Sequence, residues 1–209
     1  MLVKPELPSG IYGITSRDFG TSHEQSALYL LQAGVKIIQY REKDAQTRTM
    51  YDEAMKIKIL CKQYNALFIV NDRIDIALAV DADGVHVGQD DMPAEIARKY
   101  LGDKIVGVSV RNEEEVRTAQ AQGADYFGAG AVYPTSTKQD STCIGLDMFA
   151  KIAKMAKVPV YAIGGITMNN LRELKRYNIR GAAVISAILN TPAPEHTARE
   201  FVRFWEAKD

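Results

Sequence analysis

Short apolar runs alternate with longer stretches of helical periodicity along this chain. The runs cover residues 11–15, 36–40, 67–71, 84–87, 105–109, 125–129, 160–163 and 182–186. Between them, apolar residues recur three and four positions apart at 27–31, 50–64, 74–80, 96–101, 116–121, 148–156 and 171–177. A closing helix is predicted over 196–208, with Phe201, Phe204 and Trp205 on its apolar face. Eight strand-sized runs separated by helices imply a parallel sheet, and strands buried on both faces explain why the Val/Ile/Leu runs are nearly unbroken. The expected fold is a single (β/α)₈ barrel spanning residues 1–209. An open doubly wound sheet would want a glycine-rich loop after the first strand, and Ile14-Thr15-Ser16-Arg17 is not one.

The two kinds of connection differ in chemistry. Several helix-to-strand links carry glycine, as in Ala33-Gly34-Val35, Ala82-Asp83-Gly84-Val85, Gly123-Ala124-Asp125 and Arg180-Gly181-Ala182. Each glycine is expected to end its helix in the left-handed conformation, which makes this the plain face of the barrel. The opposite links gather polar groups, and barrel active sites are built from those loops. The link at 130–145 is the only long one, and loops of that length in a compact barrel are usually functional or mobile.

Composition narrows the partners. The 209 residues hold 26 Lys plus Arg against 26 Asp plus Glu, a formal net charge of zero, so no basic excess drives binding to a nucleic-acid backbone. Apolar stretches are strand-sized, which predicts no membrane helix, and residues 1–10 lack the apolar run of a signal peptide. Cys61 and Cys143 fit no metal-ligand spacing and no disulfide framework, so a cytoplasmic location is expected. Cys61 reads as a small apolar helix residue, while Cys143 falls in the long loop. The residues do not set the oligomeric state; a homodimer is one arrangement they allow.

Four clusters at the strand ends carry candidate chemistry. After strand two, Gln39, Arg41 and Lys43 alternate and project to one side, a planar fork and a point charge suited to pyrophosphate; a solvated rim paired with Glu42 and Asp44 is the bland alternative. Asn71-Asp72 and Asp90-Asp91 come from neighbouring strands, so Asp72 with either Asp90 or Asp91 suits Mg²⁺, which takes one or two protein carboxylates. For Asp91 the competing role is a helix N-cap ahead of Pro93. The segment Pro134-Thr135-Ser136-Thr137-Lys138 supplies hydroxyls and an ammonium, although Ser136 alone reads as exposed loop. Gly164-Gly165 after strand seven and Ile185-Ser186 after strand eight stand where barrels bind phosphate through backbone amides. Of the histidines, His86 reads as a satisfied interior residue, and His23 and His196 as helix-end surface residues. No arrangement suggests covalent catalysis.

Taken in order, Gln39-Tyr40-Arg41-Glu42-Lys43, Asn71-Asp72-Arg73, Gly84-Val85-His86-Val87-Gly88-Gln89-Asp90-Asp91, Pro134-Thr135-Ser136-Thr137-Lys138, Ala162-Ile163-Gly164-Gly165-Ile166 and Val184-Ile185-Ser186-Ala187-Ile188 resemble the thiamine-phosphate synthase family over nearly the whole chain. The resemblance implies a magnesium-dependent transferase. It would join (4-amino-2-methylpyrimidin-5-yl)methyl diphosphate to a thiazole phosphate, or its carboxylated form, releasing pyrophosphate through a pyrimidine methylene cation. It implies that Gln39, Tyr40, Arg41, Glu42, Lys43 and Asn71 bind the pyrimidine diphosphate, that Ser109 and Lys138 also contact it, and that Arg41, Lys43, Ser109 and Lys138 act catalytically. Thr135, Ser136, Thr137, Gly165, Ile185 and Ser186 would hold the thiazole phosphate with Gly164 assisting. Asp72 and Asp91 would hold Mg²⁺, which selects Asp91 over Asp90.

One position departs from the family pattern. Arg111 stands where a histidine often follows the Gly-x-Ser segment Gly107-Val108-Ser109. That argues against the runner-up, a related barrel that isomerises the thiazole phosphate. A non-catalytic sensor of thiamine phosphate is the third reading, and the retained charged groups weigh against it.

Overall fold

The computed structural model describes residues 4–135, 137 and 142–207. Eight strands, β1 (Gly10–Ile14), β2 (Ile37–Tyr40), β3 (Leu67–Asn71), β4 (Gly84–Val87), β5 (Ile105–Val110), β6 (Tyr126–Gly130), β7 (Val160–Ile163) and β8 (Gly181–Val184), pair in parallel with their sequence neighbours. β8 closes on β1, with Tyr12 opposite Ala183. The helices between them are α1 (His23–Gln32), α2 (Thr47–Gln63), α3 (Ile74–Ala79), α4 (Ala94–Leu101), α5 (Glu113–Ala121), α6 (Gly145–Met155), α7 (Met168–Leu174) and the short α8 (Ser186–Leu189), followed by α9 (Pro194–Glu206). This is the expected (β/α)₈ barrel. No helix among the described residues is long and apolar enough to cross a membrane.

Strand alternation splits the core in two. Outward residues such as Ile38, Val70, Val85, Val106 and Phe127 pack with the helices in one large cluster. Inward residues Tyr12, Ile14, Ile37, Ile69, Ile105, Tyr126, Tyr161 and Ala183 form a second cluster inside the barrel. Burying one such large apolar side chain contributes about 2 kcal/mol, so both layers are needed to offset chain entropy. The three tyrosines meet edge to face, with ring centroids 5.2–5.9 Å apart. Room for them comes from glycine: a Cβ on Gly107 would stand 2.1 Å from Cζ of Tyr126.

Three expectations are corrected. Residues 182–186 do not form one continuous strand, because β8 stops at Val184 and Ser186 opens α8. The apolar run Val184-Ile185 reads equally as strand or helix start, which is why periodicity alone misses the break. Gly34 and Gly123 do take the left-handed conformation (φ 100° and 83°), but Gly84 and Gly181 are strand residues. Their missing Cβ atoms avoid the carbonyl oxygens of Ile105 and Gly10 at 2.3 and 1.9 Å.

The helix-to-strand face, finally, is not chemically plain. Asp83 and Asp125 accept the backbone N–H groups of Phe68 and Val106 at 2.8 Å, while Arg98 pairs with Asp125 and Lys58 with Asp83. These groups tie strand starts to helix ends, the stabilising role expected of that face. Within α2, Cys61 is fully buried, and burial above all pushes its thiol up to about 12, so it is inert packing as expected. In α9, Phe201 is buried, and Phe204 and Trp205 pack against the same core.

Candidate active site

The end of β2 sorts its residues by alternation. Gln39, Arg41 and Lys43 line the cavity at the C-terminal mouth of the barrel. Tyr40 and Glu42, expected among the substrate contacts, face the helices instead. The Tyr40 hydroxyl donates to Glu53 at 2.8 Å. Glu42 Oε1 accepts the N–H groups of Lys43, Asp44 and Ala45 at 2.7, 2.8 and 3.3 Å, which folds the chain back toward α2. Its Oε2 meets His23 Nε2 at 3.1 Å and Arg17 Nε at 3.2 Å. Burial opposes charge on Glu42, but the N–H groups of Asp44 and Ala45 and the His23 ring outweigh it and hold the carboxyl at about 2. Glu42 therefore shapes the loop that carries Arg41 and Lys43.

His23 is a correction. It is 1% exposed, with Nδ1 2.7 Å from Thr15 Oγ1, and burial lowers its pKa. A histidine at a helix start looks like a surface residue until the partners beneath it are known. His196 is a surface residue as expected, paired with Glu200. His23, Glu42 and Glu53 are close enough to ligate a metal, but Arg17 already bridges both carboxylates and supplies the cation.

The acidic pair forms between β3 and β4. Asp72 adopts a left-handed backbone (φ 59°), and its Oδ2 lies 2.9 Å from Lys43 Nζ. Such a conformation is uncommon outside glycine, although Asp tolerates it better than most. Asp91 does not cap α4, whose N-cap is Pro93. Its Oδ2 instead accepts the Gly88 N–H at 2.7 Å. Burial, together with the hydrogen-bonded Asp72 carboxyl, pushes the Asp91 carboxyl above its ordinary range. Asp90 also lines the mouth but is exposed. Two converging carboxylates with one lysine nearby form a donor set that fits Mg²⁺ and leaves its remaining positions for water and phosphate oxygens.

Across the cavity lies the glycine-lined rim. Gly164 and Gly165 both have positive φ (93° and 65°). The Ile163 and Gly164 carbonyls accept the N–H groups of Val132 and Tyr133 at 2.9 and 3.1 Å, which draws the loop after β6 over β7. Thr137 Oγ1 donates to Ser186 Oγ at 3.3 Å, so the loop and the start of α8 meet. Gly164, Gly165, Ile185, Ser186, Thr135 and Thr137 all line the cavity. Ser136 and Lys138 lie outside the described residues. Cys143 is exposed, its thiol 3.4 Å from the Val132 carbonyl oxygen.

Asn71 and Ser109 complete the set of sequence-identified residues brought to one cavity. Arg111 lines the mouth too and is held by Glu115, with Nε 3.3 Å from Oε1. Sequence reasoning missed the apolar floor made by Ile14, Ile163 and Ala183, and the exposed Gln89, which reaches the Ser109 carbonyl at 2.6 Å from the rim. His86 is the satisfied interior residue expected, buried and bonded through both ring nitrogens, and it also lines the cavity. A signal existed for His86, whose position in β4 matches in register the inward-facing Asn71 and Gly107.

Residues 11–188 match the family model described as thiamine monophosphate synthase. The chain belongs to that family. It is 42% identical over 201 residues to the thiamine-phosphate synthase of Caldivirga maquilingensis, covering 96% of this chain and 98% of that one. It is 48% identical over 180 residues to that of Methanobrevibacter smithii, with 86% of each chain covered. Among solved structures, the thiamine phosphate pyrophosphorylase from Pyrococcus furiosus superposes with a TM-score of 0.89 at 42% identity, over 94% of this chain and 95% of that one. A 3-hexulose-6-phosphate synthase superposes with a TM-score of 0.70 at 18% identity, over 95% and 100% of the two chains, which shows the fold alone. For this member of the thiamine monophosphate synthase family, the matched segment runs from β1 through α8 and so contains every wall of the cavity.

Proposed function

We propose that the protein is a thiamine-phosphate synthase. It joins the aminopyrimidine methyl diphosphate to the thiazole phosphate, releasing pyrophosphate. The observation that carries this reading is that two anion-suited rims face one cavity: Arg41, Lys43, Asp72 and Asp91 on one side, Gly164, Gly165 and Ser186 on the other. In this reading Arg41, Lys43, Asn71, Ser109 and Lys138 hold the diphosphate, and Thr135, Thr137, Gly165 and Ser186 hold the thiazole phosphate. Gln39 and the apolar floor take the planar pyrimidine.

The methylene C–O bond breaks first, and its electron pair leaves on pyrophosphate. Arg41 and Lys43 stabilise the departing charge. The aminopyrimidine stabilises the methylene cation, and the thiazole nitrogen lone pair then forms the new C–N bond. Mg²⁺ held by Asp72 and Asp91 would supply further positive charge to the diphosphate. None of these steps needs a strong general base, which agrees with a floor whose one histidine is engaged at both nitrogens. The free thiols of Cys61 and Cys143 support a cytoplasmic setting.

The test is a two-substrate incubation with and without Mg²⁺. Thiamine phosphate and pyrophosphate should accumulate in equal amounts only when the metal and both substrates are present. Well-folded protein that makes neither product, or that isomerises the thiazole phosphate without metal, would overturn the reading.

A further inference from the structure

A continuous hydrogen-bond chain crosses the barrel interior beneath the cavity. Gln39 Nε2 donates to Tyr12 Oη at 3.0 Å, and Tyr12 Oη lies 2.7 Å from Tyr126 Oη. Tyr126 Oη is 3.0 Å from His86 Nδ1, and His86 Nε2 is 2.9 Å from Ser109 Oγ. The four strands β1, β2, β4 and β6 thus link Gln39 to Ser109, a β5 residue, across the barrel. Tyr12 and Tyr126 are buried, at 2% and 0% exposure, and burial above all raises both phenols far above neutral pH, so each keeps its hydrogen.

Proton counting gives the chain one direction. An amide N–H only donates, so Tyr12 accepts from Gln39 and must send its own hydrogen to Tyr126. Tyr126, already accepting, sends its hydrogen to His86 Nδ1. That nitrogen is then an acceptor, the ring proton sits on Nε2, and Nε2–H donates to Ser109 Oγ. The serine hydroxyl keeps its own hydrogen for the cavity, and the Gln39 carboxamide keeps Oε1.

We propose that Tyr12, Tyr126 and His86 are positioning residues: a one-way relay that presents Gln39 as an acceptor and Ser109 as a donor to the ligand. The relay selects a molecule that offers an N–H group at the Gln39 end and an anionic oxygen at the Ser109 end. This selectivity rests on the two residues being ligand contacts, as in the proposed function. The tautomer of His86 does not.

The test is the ring tautomer of His86, read by two-bond ¹H–¹⁵N correlation in ligand-free protein labelled at its 3 histidines. The relay requires Nε2–H in the wild type. Gln39→Glu, with the new carboxylate shown to be ionised by its ¹³C shift, offers only acceptors to Tyr12. Every hydrogen should then reverse, and His86 should switch to Nδ1–H. Tyr126→Phe removes one hydroxyl without cutting the packing, and should abolish both the Nε2–H preference and the response to Gln39→Glu in the double variant. It should also lower kcat/KM for the pyrimidine diphosphate by about tenfold, the worth of one hydrogen bond. A wild-type ring protonated at Nδ1, or a tautomer unmoved by both substitutions, overturns the relay. An inactive wild type with the Nε2–H tautomer would instead overturn the proposed function and leave the relay standing.

Discussion

Lys43 Nζ lies 2.9 Å from Asp72 Oδ2, across the gap between the ends of β2 and β3. The lysine side chain is 45% exposed and the aspartate 21%, so water screens the pair. Exposed pairs of this kind contribute about 0–1 kcal/mol to stability. Lys43→Ala is therefore expected to change unfolding free energy by less than about 1 kcal/mol. If Lys43 serves the departing diphosphate, the same change should lower kcat/KM about 100-fold or more, a scale set by losing one preorganised charge. Urea unfolding beside steady-state kinetics checks both halves. A large stability loss with intact turnover would make the pair structural.

Asp91 gives a prediction of opposite sign for stability. Its carboxyl is partly buried against Asp72 while anchoring the Gly88 N–H. An asparagine keeps an oxygen for that N–H and removes the like charge. Asp91→Asn should leave the metal-free melting temperature unchanged or raise it, by up to about 1 kcal/mol equivalent. Turnover should fall about 100-fold at every Mg²⁺ concentration. Calorimetry without metal and a Mg²⁺ titration of activity decide it; near-normal turnover at low Mg²⁺ removes Asp91 from the metal assignment.

Glu42 predicts how the fold responds to acid. Its pKa falls from an ordinary 4.5 to about 2 in the folded protein. A carboxyl whose folded pKa is depressed adds stability that is complete above pH 4.5 and is lost as pH drops through about 2. At roughly 1.4 kcal/mol per unit, the shift corresponds to about 3 kcal/mol. His23, whose pKa is also lowered, acts in the same direction: below its ordinary 6.5 the unfolded chain takes up the proton first. Glu42→Gln should lose about 2–3 kcal/mol at pH 7 and flatten the pH dependence between roughly pH 5 and pH 2. Chemical unfolding at those pH values tests this. An unchanged slope would mean that the N–H groups of Asp44 and Ala45 are satisfied in some other way.

The barrel and most of the cavity were legible because each depends on local pattern. Strand runs such as 36–40 carry their own pattern, and Gln39, Arg41 and Lys43 share a face by alternation alone. Asp72 and Asp91 could be brought together because adjacent parallel strands end side by side. What stayed hidden depends on distant contact. His23 is buried because Thr15, Glu42 and the Tyr40 ring meet over it, and Glu42 turns toward the helices because three N–H groups of its own loop converge on it. The glycines at 84 and 181 looked like helix ends, but their missing side chains are explained by strands 20 or more residues away in sequence. The Gln39–Ser109 chain likewise needs five strands to be in register before any of its bonds exists.

The glycine-lined rim offers the sharpest separation of the two substrate ends. Gly165 has φ 65°, and a Cβ there would stand 2.4 Å from the Pro134 carbonyl oxygen and 2.8 Å from Tyr133 Cβ. Both neighbours belong to the loop that follows β6, so an alanine must push that loop outward. The left-handed conformation adds about 1–2 kcal/mol of its own. Gly164 is as tight, with its Cβ position 2.4 Å from that of buried Ala131, so substitution there should disturb the ends of β7 and β6 together. Gly165→Ala should fold, with thermal stability reduced by about 2–4 kcal/mol. Its KM for the thiazole phosphate should rise tenfold or more, because Thr135 and Thr137 move with the loop and the backbone amides lose their close approach to phosphate. The KM for the pyrimidine diphosphate should rise clearly less, since four of its five proposed holders, Arg41, Lys43, Asn71 and Ser109, stand at the ends of β2, β3 and β5, and only Lys138 follows Thr137 in the displaced loop. Two-substrate kinetics separates the constants. Equal rises in both would place the phosphate and the diphosphate on a common rim, and the two-site geometry would have to be abandoned.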